Sequence, residues 1–424
     1  MTPLVVGIDI GTSGARAVAM RQDFSIAAQS AVPLDKFGPN PRDPPTWWQA
    51  VQAALAGLLS SIDRATVRAI AVDGTSGTLL PVDIDGRPLA EPLMYNDKVD
   101  DVDIVAIVAR EAPEASAAHG PTSGLAKALR FQRLPGMAGV LHQADWIAGN
   151  LSGRFDVSDE NNALKTGYDV EARRWPHWIA ATGMRMNLLP DVVEPGQVTG
   201  TLTTAAAALF GLPRDVAVVA GTTDGCASFL ATGATAVGDG VTALGSSLTI
   251  KILSDRPISA PRFGIYSHRL GDTWLAGGAS NSGGKVLARH FPLARIIELS
   301  AMIDPATETG LDYYPLGTAG ERFPIADPGL PPRLTPRPAD DADYLKAMFE
   351  GMAAIEALGY GRLAELGAPT LTSVRSVGGG AANPAWSAIR QRKLGVTFLP
   401  ALSDEAAAGT ARLALKGASE TGLL

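Results

Sequence analysis

The chain opens on an apolar, β-branched run, Leu4-Val5-Val6-Gly7-Ile8. That run meets one aspartate, Asp9, and then a turn spelled Gly11-Thr12-Ser13-Gly14. A second apolar run, Ala15 to Val18, follows at once. The pattern predicts a strand, a tight turn and a returning strand. Such a turn offers free backbone N–H groups and two hydroxyls, and amides so placed cradle phosphate oxygens. A carboxylate at the mouth of the turn holds Mg²⁺ directly or through water. A lone aspartate between Ile8 and Ile10 also needs a partner, because an unpaired buried charge is costly, and a metal is the partner expected here. The hairpin therefore points to nucleotide handling.

The same design recurs. Val241-Thr242-Ala243-Leu244-Gly245-Ser246-Ser247-Leu248-Thr249-Ile250 is again strand, small-residue turn, strand, and suggests an internal duplication. With 424 residues there is room for two or three domains. We place the boundary near residue 234, giving an N-terminal domain 1–234 and a C-terminal domain 235–424. Between the hairpins, a helix is expected to start at Asp43-Pro44-Pro45-Thr46, with Trp48, Val51, Leu55, Leu58, Leu59 and Ile62 at helical spacing, and strands are expected at Val67–Val72, Thr78–Val82 and Val216–Ala220. A helix is expected over Cys226–Ala231. After a proline-rich loop at 324–338, helical spacing runs from Ala342 to Leu366. A strand from Val374 then enters Gly378-Gly379-Gly380, where a ligand can press on bare backbone before a helix starts at Pro384.

Composition removes several function classes. A net charge of −7 without a basic block argues against nucleic acid. No run approaches the ~18 apolar residues of a membrane span, and no charged segment precedes the first apolar run as in a signal peptide. A single cysteine, Cys226, rules out an internal disulfide and suits the cytoplasm; it reads as a small buried residue. Spelling removes others. Gly278-Ala279-Ser280-Asn281-Ser282-Gly283-Gly284-Lys285-Val286 misses the P-loop spacing and lacks a hydroxyl after the lysine. Gly74-Thr75-Ser76-Gly77-Thr78 fails the last position of a hydrolase elbow. The five histidines have no zinc spacing, and no dinucleotide fingerprint follows a strand.

Three ordered segments then carry a resemblance. Gly7-Ile8-Asp9-Ile10-Gly11-Thr12-Ser13-Gly14 resembles the first phosphate motif of the FGGY carbohydrate kinases, within the actin, hexokinase and heat-shock-chaperone ATPase superfamily. Ala220-Gly221-Thr222-Thr223-Asp224-Gly225 is similar to the family's catalytic segment. Gly378-Gly379-Gly380-Ala381-Ala382-Asn383-Pro384-Ala385-Trp386 is similar to its adenosine motif, and Asp145-Trp146 through Asn161-Asn162-Ala163 resembles the middle of its first domain. The resemblance implies an α/β fold: two ribonuclease H-like domains of the actin/hexokinase ATPase type flanking a central cleft. The N-terminal domain would bind sugar and phosphate and the C-terminal domain ATP. The partners are a small sugar and ATP, with Mg²⁺, and the reaction moves the γ-phosphoryl group to a sugar hydroxyl.

Roles follow residue by residue. Asp224 is the expected general base, since a sugar hydroxyl is a poor nucleophile until a carboxylate takes its proton; an aspartate there also suits a helix start. Asp9 positions Mg²⁺ and the phosphate, and also counts with the substrate contacts. Gly11, Thr12, Ser13 and Gly14 approach the phosphoryl group, and Gly245, Ser246 and Ser247 the β- and γ-phosphates. Arg16 either neutralises the phosphate or binds the sugar. Ser76, Gly77, Asn96 and Asp97 are sugar-contact candidates, because polyols need short polar side chains at strand ends. Gly378, Gly379, Gly380 and Asn383 line the adenosine, and Trp386 flanks the base or packs in the core.

Asp73-Gly74-Thr75-Ser76-Gly77 stands where bacterial xylulose kinases carry Met-His-Gly. It is similar to the short D-ribulose kinases, so the expected substrate is a ketopentose, D-ribulose ahead of D-xylulose, phosphorylated at the 5-hydroxyl. A kinase for another sugar or polyol, an ATP-driven switch on the same fold, and a non-catalytic sugar-binding regulator are the alternatives.

Overall fold

A computed structural model describes residues 2–424. The chain forms two compact units. Unit 1 takes in the chain up to Ala231, residues His268–Gly271 and Glu405–Leu424; unit 2 takes in Thr232–Ser267 and Asp272–Asp404.

Unit 1 is built on β1 (Leu4–Ile10), β2 (Gly14–Met20), β3 (Ile26–Pro33) and β4 (Val67–Gly74). Two short pairs follow, β5 (Leu79–Val82) with β6 (Gly139–His142) and β7 (Val157–Asp159) with β8 (Asp191–Val193). Next come β9 (Val198–Thr201) and β10 (Ala217–Thr223). The main sheet has the order β3-β2-β1-β4-β10-β9. The opening hairpin makes β1 and β2 antiparallel, and β1, β4 and β10 run parallel. β1 is buried along its whole length, as its near-continuous apolar spelling requires of a strand covered on both faces. One face carries the helix Pro44–Leu59, whose Trp47, Val51, Leu55 and Leu58 are fully buried.

The other face carries the helix Ala406–Glu420. Its Ala407, Ala408, Ala411, Ala414 and Ala418 meet Val5, Val18, Ala69, Ala71 and Val219 of the sheet. The approach is close enough that a Cβ on Gly7 would lie 2.0 Å from the Ala407 carbonyl oxygen, and one on Gly409 1.8 Å from that of Ala227. Only glycine fits at either contact. The sequence boundary near 234 lies close to Ala231, but the expected C-terminal domain 235–424 differs from unit 2 at this helix. A small-residue face can be buried only where backbone can come this near, and unit 1 offers Gly7 for it.

Unit 2 begins with β11 (Asp239–Leu244) and β12 (Leu248–Ser254), the second hairpin. After β13 (His268–Leu270) come β14 (Thr273–Ser280), β15 (Ser373–Val377) and β16 (Thr397–Leu399). Unit 2's own strands run in the order β14-β12-β11-β15-β16. β12 is antiparallel to β14 and β11, and β11, β15 and β16 are parallel. This repeats β3-β2-β1-β4-β10 in order and in sense, so the duplication suggested by two short hairpins extends through five strands. The long helix expected from Ala342 is present as Asp341–Glu365, capped by the Asp340 side chain.

Candidate active site

The carboxylates gather through strand register. Asp9 of β1 and Asp73 of β4 are partners on parallel neighbours. Asp73 pairs in turn with Thr222 of β10, and Asp224 opens the helix Asp224–Ala231 that leaves β10. Three carboxylates thus meet at the C-terminal ends of three adjacent parallel strands, where α/β sheets place their ligands. Asp9 is 5% exposed and Asp73 wholly buried, while Asp224 is half-buried. Burial pushes both Asp9 and Asp73 above the usual carboxylate range, and the charge of Asp224 adds to the effect on each. Asp73 is raised furthest, by burial and then by the charge of Asp9. The other Asp73 oxygen, Oδ2, accepts from the Thr410 hydroxyl on the C-terminal helix.

The partner of Asp9 differs from the metal that burial suggested. Arg16 lies directly across the hairpin in the β1–β2 register and donates to Asp9 Oδ2 at 3.0 Å. Arg16 also reaches Glu405 at 3.3 Å. A cross-strand pair satisfies the charge without an ion. Among the described residues no group of three or more histidine, cysteine or carboxylate side chains is placed to hold a metal. Mg²⁺ fits here only in the manner usual for nucleotide sites, on phosphates and water with one or two carboxylates beside it, and Asp9 and Asp224 are the carboxylates available. Gly11 donates to the Gly14 carbonyl at 3.0 Å, closing the turn, and Thr12 and Ser13 are exposed at its tip.

The four sugar-contact candidates lie on two adjoining segments. Ser76 and Gly77 belong to the turn between β4 and β5, and Asn96 and Asp97 to the loop after Leu93. Lys127 ties the two together: its Nζ donates to the carbonyls of Gly77 and of Met94, each at 2.7 Å. Tyr95 N donates to Thr78 Oγ1 as well. Asp97 accepts two bonds from Arg42, at 2.9 and 3.1 Å, and one from Met94 N at 2.8 Å. Asn96 is exposed. The Ser76 hydroxyl oxygen and the Gln143 amide nitrogen are buried with no protein partner, although Gln143 Oε1 accepts from Thr75 N and Oγ1. Asp73, Lys127, Arg42, Gln143 and Thr410 were not given roles from the sequence. Asp73 had a signal, a carboxylate ending an apolar strand beside Asp9's; Thr410 had none.

Unit 2 holds a separate cavity of about 990 Å³. Gly245, Ser246, Gly379, Gly380, Asn383 and Trp386 line it, so six of the expected phosphate and adenosine residues meet. Gly378 and Ser247 sit beside it: a Cβ on Gly378 would lie 3.0 Å from the Leu244 carbonyl, and Ser247 is in the β11–β12 turn. Asn383 is the N-cap of the helix Pro384–Leu394, accepting from Trp386 N at 3.0 Å and donating to Ser300 at 2.7 Å. Trp386 is 2% exposed and stacks on Phe349 with ring centres 5.0 Å apart, so it packs in the core while bounding the cavity. Lys285, from the stretch that misses the P-loop spelling, lines the wall too, and its N–H donates to the Ser246 carbonyl at 3.1 Å.

Residues 4–102 and 130–231 match the FGGY family of carbohydrate kinases, N-terminal domain. The chain belongs to the FGGY carbohydrate kinases. Like the family, it is a phosphotransferase whose acceptor is a sugar hydroxyl, and the donor of FGGY kinases is ATP. It is 25% identical over 407 residues to the xylulose kinase of Escherichia coli K12, covering 90% of this chain and 83% of that one. The crystal structure of a xylulose kinase from Rhodospirillum rubrum superposes with a TM-score of 0.82 at 25% identity, covering 98% and 90% of the two chains. An autoinducer-2 kinase of Yersinia enterocolitica is 27% identical over 296 residues, 63% of this FGGY kinase and 55% of the relative. No helix among its described residues is long and apolar enough to cross a membrane.

Proposed function

We propose that this FGGY kinase phosphorylates a ketopentose, D-ribulose or D-xylulose, at the 5-hydroxyl, with ATP and Mg²⁺ in the cytoplasm. The observation that carries the reading is Asp224 at the head of its helix, whose charge acts on both Asp9 and the buried Asp73. Asp224 takes the proton of the acceptor hydroxyl as its oxygen bonds to the γ-phosphorus, and the bond from that phosphorus to the bridging oxygen of ADP breaks. Amides and hydroxyls of the Gly11–Gly14 turn face the transferring group. Gly245, Ser246 and Ser247 hold the β- and γ-phosphates, and Gly378, Gly379, Gly380, Asn383 and Trp386 the adenosine. Mg²⁺, when bound with ATP, neutralises charge on the phosphates and orients them. Asp9 would hold that ion through water. Arg16 offsets the charge of Asp9, so a polyanion is less strongly repelled.

Ser76, Gly77, Asn96 and Asp97 receive the sugar, and the unpaired Ser76 hydroxyl is free to bond it. The Asp73-Gly74-Thr75-Ser76-Gly77 spelling favours D-ribulose, while the names of the similar kinases favour D-xylulose. ADP release is to be measured across ketoses, aldoses and polyols. Turnover highest with a ketopentose supports the reading, and higher kcat/KM on another sugar or polyol overturns it.

A further inference from the structure

We propose that Lys127 is a positioning residue of the acceptor pocket, holding the Ser76–Gly77 turn and the Met94–Asp97 loop at one fixed separation so that both grip the same sugar. This rests on the ketopentose-kinase reading above. The geometry is unusual for a lysine. Its side chain is wholly buried at the start of the helix Gly124–Phe131, among Leu125, Ala126 and Leu129 of a local apolar core. Its Nζ contacts two backbone carbonyls and no carboxylate, each bond 2.7 Å long. Desolvating an ammonium without an ion-pair partner costs several kcal/mol. The two segments pair through Leu79 and Leu93, and Lys127 holds them beyond that pair, at Gly77 and Met94.

The bonds bear on the candidate sugar contacts directly. The Gly77 carbonyl follows Ser76, whose hydroxyl has no protein partner. The Met94 carbonyl also accepts from Asp97 N at 2.9 Å, and Met94 N donates to Asp97 Oδ2. Moving Met94 therefore moves Asp97. Burial pushes the Lys127 ammonium down to about 8, with Asp97 opposing the shift and Lys165 adding to it. Losing the ammonium lets the two segments drift and loosens the sugar without touching the nucleotide residues of unit 2.

The test is steady-state kinetics of Lys127→Met and Lys127→Arg beside the wild type, with melting curves for each. Expected is a tenfold or larger rise in sugar KM for Lys127→Met, with ATP KM changed less than twofold. Lys127→Arg, which keeps charge and donors but in a wider head that cannot reach both carbonyls in the same way, recovers only part of the loss, leaving the sugar KM three- to tenfold above the wild type's. If Lys127→Met does not fold, Lys127→Arg decides: a sugar KM raised three- to tenfold with unchanged ATP KM supports the proposal. An unchanged sugar KM in a folded Lys127→Met overturns it, as does a parallel rise in both KM values or, where only Lys127→Arg folds, wild-type sugar KM. The ketopentose reading fails separately, in the wild type's substrate preference, and Lys127 is then judged on whichever acceptor the wild type prefers.

Discussion

Asp73 stands beside Asp9 on the neighbouring parallel strand, and burial together with the charge of Asp9 holds its carboxyl well above the usual carboxylate range. Between the ordinary carboxylate pKa and its own raised value, Asp73 binds more protons folded than unfolded. It therefore contributes a loss of stability as pH rises through that interval. Asp73→Asn keeps an N–H donor for Asp9 and an oxygen for Thr410. We expect it to fold, to match the wild type in melting temperature near pH 4, and to exceed it at pH 8. A wild-type curve no steeper with pH than that of the variant would show that the Asp73 carboxyl is not raised.

Asp224→Asn removes the proposed base and leaves the helix start. We expect kcat to fall by about 10²–10⁴-fold, with the melting temperature within a few degrees of the wild type. Normal sugar-dependent ADP release from this variant would place the base elsewhere.

Gly409→Ala puts a Cβ 1.8 Å from the Ala227 carbonyl oxygen and 2.8 Å from Ala231 N, both backbone. Neither helix can yield, so stability should drop by about 3 kcal/mol or more, read as a lower urea midpoint. Gly361→Ala, with nothing within 4 Å, is the matched control and should be neutral or slightly stabilising.

Glu356 and Arg390 form a fully buried ion pair in unit 2, with bonds of 2.6 and 2.7 Å, and Glu356 also accepts from Thr242. Glu356→Leu alone strands the guanidinium and should cost about 3–5 kcal/mol. Replacing both, as Glu356→Leu with Arg390→Met, should recover most of that loss in chemical denaturation. A double variant as unstable as the single one would mean that the Thr242 and Ser376 bonds, not the charge pairing, carry the effect.

Much of the candidate site was legible because its parts are local. The Gly11–Gly14 turn, Asp9 at a strand end, Asp224 after β10 and the Gly378–Gly380 stretch are each written in a few consecutive residues. Lys127 was not legible. A lone lysine in Gly124-Leu125-Ala126-Lys127-Ala128-Leu129 reads as a solvent contact until the fold shows its side chain wholly buried. Arg42 and Gln143 escaped for a similar reason: each acts on a loop far along the chain, Asp97 and Thr75, and no periodicity links them.

By itself the sequence determined two strand–turn–strand openings, their order, and the carboxylates and glycines that end each strand, because alternation and turn chemistry are short-range. Tertiary structure alone decided that Arg16 answers Asp9, that Asp73 is buried against Asp9, and that the last helix lies on unit 1. Those outcomes depend on burial and on charges brought together by strand register, and on the close approach of Gly7 to Ala407 and Ala411 from opposite ends of the chain.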